Sequence, residues 1–98
     1  MAYQLIQKKR FKNKLVKLLD YLETEWGFKV AESFLKKVDK HLESISHHPF
    51  LGRPEAYRNV RSVLITKHNR VYYRFDGKTI KVLNMYDTRM SPKKNRYK

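Results

Sequence analysis

Cysteine is absent from this sequence, which excludes disulfides and thiolate metal sites and suits a reducing cytoplasm. Acidic residues are few, nine against 23 Lys and Arg. Only Glu55, Asp76 and Asp87 lie outside the first half, so carboxylate-based hydrolysis and two-metal nuclease chemistry are both disfavoured. There is no Gly-rich phosphate loop. The histidines, His41, the adjacent pair His47-His48, and His68, show none of the i, i+4 spacing of a zinc motif, so neither a metal nor a cofactor is expected. No apolar run is long enough to span a bilayer, and the charges in MAYQLIQKKRFKNK come too early for a signal peptide. The expectation is a soluble cytoplasmic protein with no membrane partner.

What is present is enough to fold. Glycine and proline number three each, and 41% hydrophobic and 13% aromatic residues outweigh a charged fraction of 33%. At 98 residues the chain is expected to be one domain, residues 1–98. The net charge of +14 is uneven. Residues 1–50 carry ten basic against six acidic side chains, and residues 51–98 carry thirteen against three, +4 against +10. Such an excess is most simply tolerated when the partner is a polyanion or an acidic protein.

Residues 3–8 offer a short opening strand around Leu5 and Ile6. From Phe11, the apolar positions Leu15, Leu18, Leu19, Leu22 and Trp26 recur at helical spacing, and Gly27 supplies the stop. A second helix carries Val30, Phe34, Val38, Leu42 and Ile45 on one stripe and ends before Pro49. Two or three linking residues around Gly27 make the pair an antiparallel hairpin whose apolar stripes need a sheet to cover them. Residues 49–59, PFLGRPEAYRN, are expected as a crossing loop.

Three strand-like runs follow, over residues 60–67, 70–76 and 78–87, separated by His68-Asn69 and Asp76-Gly77. The Asp-Gly pair signals a type I′ hairpin turn, and His-Asn is a weaker version of it. The end of the chain is therefore a three-stranded antiparallel meander. In its middle strand Val71, Tyr73 and Phe75 face the helices, while Arg70, Tyr72 and Arg74 form a basic and aromatic face. The tail, residues 91–98, SPKKNRYK, is basic and reads by itself as a frayed, solvated end.

With other constellations absent, arginine, lysine and tyrosine remain to carry chemistry. Guanidinium groups can hold a phosphate bidentately, and tyrosine can stack on a base or hydrogen-bond. The candidates are Arg61, Arg70, Arg74 and Arg89, placed on one sheet face, with Tyr72, Tyr86 and Tyr97. The bland alternative is strand arginines facing solvent and tyrosines half in the core.

Over nearly its whole length the sequence resembles the RelE/ParE toxin superfamily of type II toxin–antitoxin systems. The resemblance rests on LLDYLETEWG, VAESFLKKVDKHLESI and HPFLGR, with its Pro-x-x-Gly-Arg loop. It continues in the meander with Arg70-Val71-Tyr72-Tyr73-Arg74 and the closing Asp87-Thr88-Arg89. It implies an α+β fold of order β-α-α-β-β-β: a short strand, the helical hairpin, and a mostly antiparallel sheet with a working face.

RelE-like members cut mRNA on the ribosome, and ParE-like members poison DNA gyrase without cleaving RNA. An antitoxin silences both. Arg61, Arg70 and Arg89 match positions of catalytic or phosphate-binding residues in the RelE type, with Tyr97 or Tyr86 assisting proton transfer. Lys67, Arg74, Lys81, Lys93, Lys94 and Arg96 would then bind nucleic acid. Val63 stands where a second basic residue is expected, and the tyrosine position falls at Asn95, two residues short of Tyr97.

The resemblance thus implies a metal-independent endoribonuclease acting on mRNA in the ribosome. The alternatives are a gyrase poison and a non-toxic nucleic-acid-binding domain. The implied partner in each toxin case is a cognate acidic antitoxin.

Overall fold

The computed structural model describes residues 2–89. Strand β1 (Gln4–Gln7) leads into helix α1 (Lys9–Trp26) and helix α2 (Phe28–His47). Strands β2 (Arg53–Pro54), β3 (Val60–Thr66), β4 (Asn69–Phe75) and β5 (Thr79–Asp87) follow. The sheet order is β1-β5-β4-β3-β2, with β1 parallel to β5 and every other pairing antiparallel.

The helical hairpin forms as its periodicity predicts, with a tighter joint than expected. Gly27 alone links the helices, at φ 96°, and serves as C-cap of α1 and N-cap of α2. A residue with a side chain is strained at that φ. Phe11 and Leu15 of α1 and Phe34, Val38, Leu42 and Ile45 of α2 are buried against Val71, Tyr73, Ile80, Val82 and Met85 of the sheet. Trp26 and Val30 were expected in the apolar stripes, but they lie 68% and 43% exposed, Val30 on an open cleft that Thr66, His68 and Asn69 also line.

The crossing segment contains a strand that its composition conceals. Arg53 and Pro54 pair with Ser62 and Arg61, giving the order β-α-α-β-β-β-β. Proline is tolerated there because β2 is an edge strand. The turn between β3 and β4 falls at Lys67 and His68, one residue earlier than expected. Neither this turn nor Asp76-Gly77 is type I′, since Gly77 is the one residue at positive φ in the two turns. Asp76 instead accepts the N–H groups of Lys78 and Thr79 at 2.9 and 2.8 Å, closing an Asx-type turn.

The core meets the crossing loop at the Tyr73 phenol, beside the contact of Phe50 with Phe75. Tyr73 is fully buried, and its hydroxyl accepts the Gly52 N–H at 2.9 Å and donates to the Pro49 carbonyl at 2.7 Å. Burial pushes this hydroxyl up from its ordinary pKa, so it stays protonated and available as donor. Gly52 is required because a Cβ there would stand 2.6 Å from the Tyr73 hydroxyl and 2.9 Å from the Ser62 carbonyl oxygen. These contacts explain the Pro-x-x-Gly spacing of residues 49–52.

Tyr73→Phe leaves the Gly52 N–H and the Pro49 carbonyl without their partner, and costs about 1–3 kcal/mol of stability in urea unfolding. Gly52→Ala forces backbone apart and costs a similar amount, about 1–3 kcal/mol. In both variants the amide of Gly52 exchanges with deuterium faster, whereas amides of α1 keep their protection. Unchanged unfolding midpoints would show that the phenol does not hold the loop.

Candidate functional site

The basic side chains expected on one sheet face divide among three places. Arg70 and Arg74 stand on the face turned away from the helices. Arg70 lies opposite Tyr86, and Arg74 opposite Lys81. Arg61 lies opposite Tyr73, on the helix side. Its guanidinium donates to the carbonyls of Phe50 and Gly52 at 3.3 and 2.8 Å and stacks over the Phe50 ring at 4.9 Å. It works with Tyr73 in pinning the crossing loop.

The cause is one extra residue. An uninterrupted hairpin pairing Thr66 with Asn69 would set Arg61 opposite Arg74, on Arg70's face. The bulge between Leu64 and Thr66 moves it one place, opposite Tyr73, and so to the other face.

Arg89 follows β5 and folds back on Asp87. Its Nε and Nη2 donate to the two carboxylate oxygens at 3.0 and 2.8 Å, and its backbone N–H adds a bond of 2.8 Å. These bonds hold the Asp87 carboxyl at about 2, below its usual 3.8. Asp87 itself lines a cleft with Lys14, Lys17 and Leu18, which sets the pair toward α1. The expected convergence of Arg61, Arg70 and Arg89 is therefore corrected: the first faces the loop, the second the outer face, and the third the α1 side.

The outer face is itself more closed than alternation implies. Tyr72, expected as part of an exposed aromatic surface, is 1% exposed. With Val60 it forms a second small core, against which Leu83 and Tyr86 pack. A register shift in β5 lies beside Tyr72 and Tyr73. The Tyr72 and Tyr86 rings meet edge to face at 5.8 Å, the Asn84 amide donates to the Tyr86 hydroxyl at 3.2 Å, and Lys14 lies over the Tyr86 ring at 3.7 Å. Burial, and secondly Arg10, push the Lys14 ammonium down from its ordinary pKa.

A polar chain unmarked by any motif surrounds Arg70. Its Nη1 donates to the Ser62 hydroxyl at 2.8 Å, and Ser62 in turn donates to Glu55. Arg53 donates to the same Glu55 oxygen at 3.1 and 3.0 Å. The signal in the sequence was faint: Glu55 is one of three acids in a strongly basic half, two residues after the arginine of the Pro-x-x-Gly-Arg loop.

Of the remaining candidates, Lys67 is exposed in the β3–β4 turn, with its carbonyl accepting the Thr88 hydroxyl at 2.7 Å, and Lys81 is exposed on β5. Lys93, Lys94, Arg96 and Tyr97 lie outside the described residues. Among the described residues no group of His, Asp and Glu could hold a metal ion, and no helix is long and apolar enough to cross a membrane.

Two adjoining clefts of about 420 Å³ each run between the helices and the sheet, with Leu18 and Asn69 in both. Apolar Leu22, Phe34 and Met85 line them, and Lys14, Lys17, Lys29 and Lys37 border them.

A short strand, a helical hairpin and a curved sheet in this order make the RelE-like α+β fold. The same architecture occurs in the chromosomal ParDE toxin–antitoxin system from P. aeruginosa, at a TM-score of 0.75 and 18% identity over 88% of this chain and 96% of that one. The RelBE2 toxin–antitoxin complex from Mycobacterium tuberculosis matches at 0.61 and 16% identity, over 89% and 99% of the two chains. A mutant of the E. coli toxin RelE in the free state matches at 0.59 and 20%, over 88% and 83%. At these identities the likeness carries the fold. A comparison with curated protein sequences finds no match. The family pattern described as "ParE toxin of type II toxin-antitoxin system, parDE" matches residues 5–92. The chain belongs to this family of toxins.

Asp87 makes the fold's acid response specific. Its pKa is depressed by folding, so its contribution to stability is complete above about pH 4 and is lost as pH falls toward about 2. Wild type is more stable than Asp87→Asn at neutral pH, and the difference closes across that window. Added salt shrinks it, since the pair is exposed. A stability difference independent of pH between 5 and 2 would assign the effect of the substitution to something other than this charge.

Proposed function

We propose that this toxin acts by binding DNA gyrase and blocking its cycle, and that it does not cleave RNA. The observation that carries this reading is the separation of the three arginines. A phosphoryl-transfer site needs its cations aimed at one developing charge. Here Arg61 is engaged with loop carbonyls, Arg70 with Ser62 on the opposite face of the sheet, and Arg89 with Asp87 beyond the end of β5, each held by a different partner. Membership of the ParE family, which includes gyrase poisons, supports the same reading.

The tip of the helical hairpin supplies a protein-binding surface. Trp26 and Phe28, on either side of Gly27, are 68% and 64% exposed, and Tyr21, five residues earlier in α1, is 56% exposed. Exposed aromatics grouped in this way mark contact sites, and tryptophan is the residue most enriched among binding hot spots.

On this reading the purified protein inhibits supercoiling by gyrase, and its induction causes DNA breaks while mRNA 5′ ends stay as in uninduced cells. Trp26→Ala and Phe28→Ala keep the unfolding midpoint and weaken inhibition by about tenfold or more. New 5′ ends within translated codons, with supercoiling untouched at toxic doses, would overturn the gyrase reading in favour of ribosome-dependent mRNA cleavage.

Silencing by an antitoxin follows the pairing in the ParDE and RelBE2 structures. The clefts between helices and sheet, apolar within and bordered by lysines, suit an acidic amphipathic segment of such a partner. Reversing Lys14 and Lys37 to Glu then weakens antitoxin binding by about tenfold or more in calorimetry, since like charge would face the segment. Affinity unchanged by the reversals would place the antitoxin elsewhere.

A further inference from the structure

The chain from Arg53 through Glu55 and Ser62 to Arg70 has the composition of an oxyanion site, but the anion is part of the protein. One carboxylate oxygen of Glu55 receives Nε and Nη2 of Arg53 and the hydroxyl of Ser62, and the same hydroxyl accepts Nη1 of Arg70. One guanidinium and a hydroxyl on a single oxygen, with a second guanidinium held behind that hydroxyl, is the kind of donor set that recognises a phosphate oxygen.

We propose that Glu55 is an internal counter-anion occupying the seat between Arg53, Ser62 and Arg70 that a phosphodiester would take, and that it keeps this face from binding nucleic acid. The inference rests on the reading of the toxin as a non-nuclease for its biological sense, and on the geometry alone for its content.

Three features support it. The Glu55 side chain is 7% exposed and Ser62 is 1% exposed, so the carboxylate is seated within the site and is not a mobile surface acid. The seat is fixed by the sheet, because Arg53 lies opposite Ser62 in the β2–β3 pairing and Ser62 opposite Tyr72, two residues from Arg70. The Glu55 N–H also bonds the Val60 carbonyl at 2.9 Å, which holds the acid at the end of β2.

The charges also need each other. Burial, and secondly the nearby Arg53, push the Arg70 guanidinium down from its ordinary pKa, while Tyr72 and Glu55 pull it up. Without Glu55 the two arginines repel across the seat, and an external anion that enters relieves them. Arg53 keeps half its side chain exposed, which leaves the site open to solvent on that side.

The test is binding of a fluorescein-labelled single-stranded RNA, and of DNA with the same sequence, to the full-length protein at low and moderate salt. Wild type binds weakly. Glu55→Ala and Glu55→Gln bind at least about tenfold more tightly, with log affinity falling more steeply in log salt by roughly 0.7, the increment for one added phosphate contact on a single strand. Adding Arg70→Ala to either variant returns affinity to the wild-type level. Glu25→Ala, which removes an exposed acid of α1 and changes net charge equally, leaves affinity within about twofold.

RNA and DNA gaining alike assigns the seat to the phosphodiester. A gain confined to RNA also supports the seat and adds a 2′-hydroxyl contact. The proposal fails if Glu25→Ala matches the gain, if Arg70→Ala does not reverse it, or if neither Glu55 variant binds more tightly while circular dichroism shows both folded. Glu55→Gln preserves side-chain volume, so it carries the test should Glu55→Ala unfold. Supercoiling inhibition is measured on the same preparations. Its loss in wild type would overturn the gyrase reading and leave the seat standing, and the converse result would do the opposite.

Discussion

The Tyr73 hydroxyl ties the crossing loop to the core that the helices and the sheet share. The helical hairpin ends at His47, and the chain must then cross to the far edge of the sheet before β3 can begin. That crossing is held by one buried phenol that donates to Pro49 and accepts from Gly52, with Arg61 closing on the carbonyls of Phe50 and Gly52 from beside it. Buried polar groups are stabilising only when satisfied, and here a core side chain and loop backbone satisfy each other. β2 forms because Gly52 is held down, and Glu55 reaches Ser62 because β2 forms.

This dependence explains which features were legible in the sequence. The helices were, because Phe11, Leu15, Phe34, Val38, Leu42 and Ile45 fall at helical spacing on buried faces. The meander was, from its β-branched and aromatic runs. β2 was not, since two residues that include a proline carry no periodicity. The exposure of Trp26 was not, because periodicity marks a stripe and not which of its positions are covered. Tyr72 follows the same logic: alternation assigns a face, while burial on that face depends on the neighbours, here Val60, Leu83 and Tyr86, that close over it. The division of the arginines was the least accessible. A single bulge next to Ile65 decides whether Arg61 joins Arg70 or opposes it, and nothing in VRSVLITKHN announces a bulge.

The scarcity of acid in the second half also acquires a structural meaning. Glu55 sits between Arg53 and Ser62, Asp76 closes the β4–β5 turn, and Asp87 holds Arg89. Each of the three acids is engaged at a specific place, so the large positive field of this half comes mainly from its lysines and from arginines such as Arg58 and Arg74. The long-range positive field and short-range order are thus carried by largely separate sets of residues.

Gly27 has a consequence for the energetics of recognition. A helix of 18 residues is about 27 Å long at 1.5 Å per residue, so the joint lies at the far end of a stiff arm. Because one residue makes the joint, Trp26 and Phe28 are each attached to a helix and not to a slack loop. Backbone there is already ordered before any partner arrives, and the entropy that a flexible tip would lose on docking, about 1–2 kcal/mol per residue, has been lost in folding instead. A longer linker with the same aromatics would present the same surface chemistry and bind more weakly.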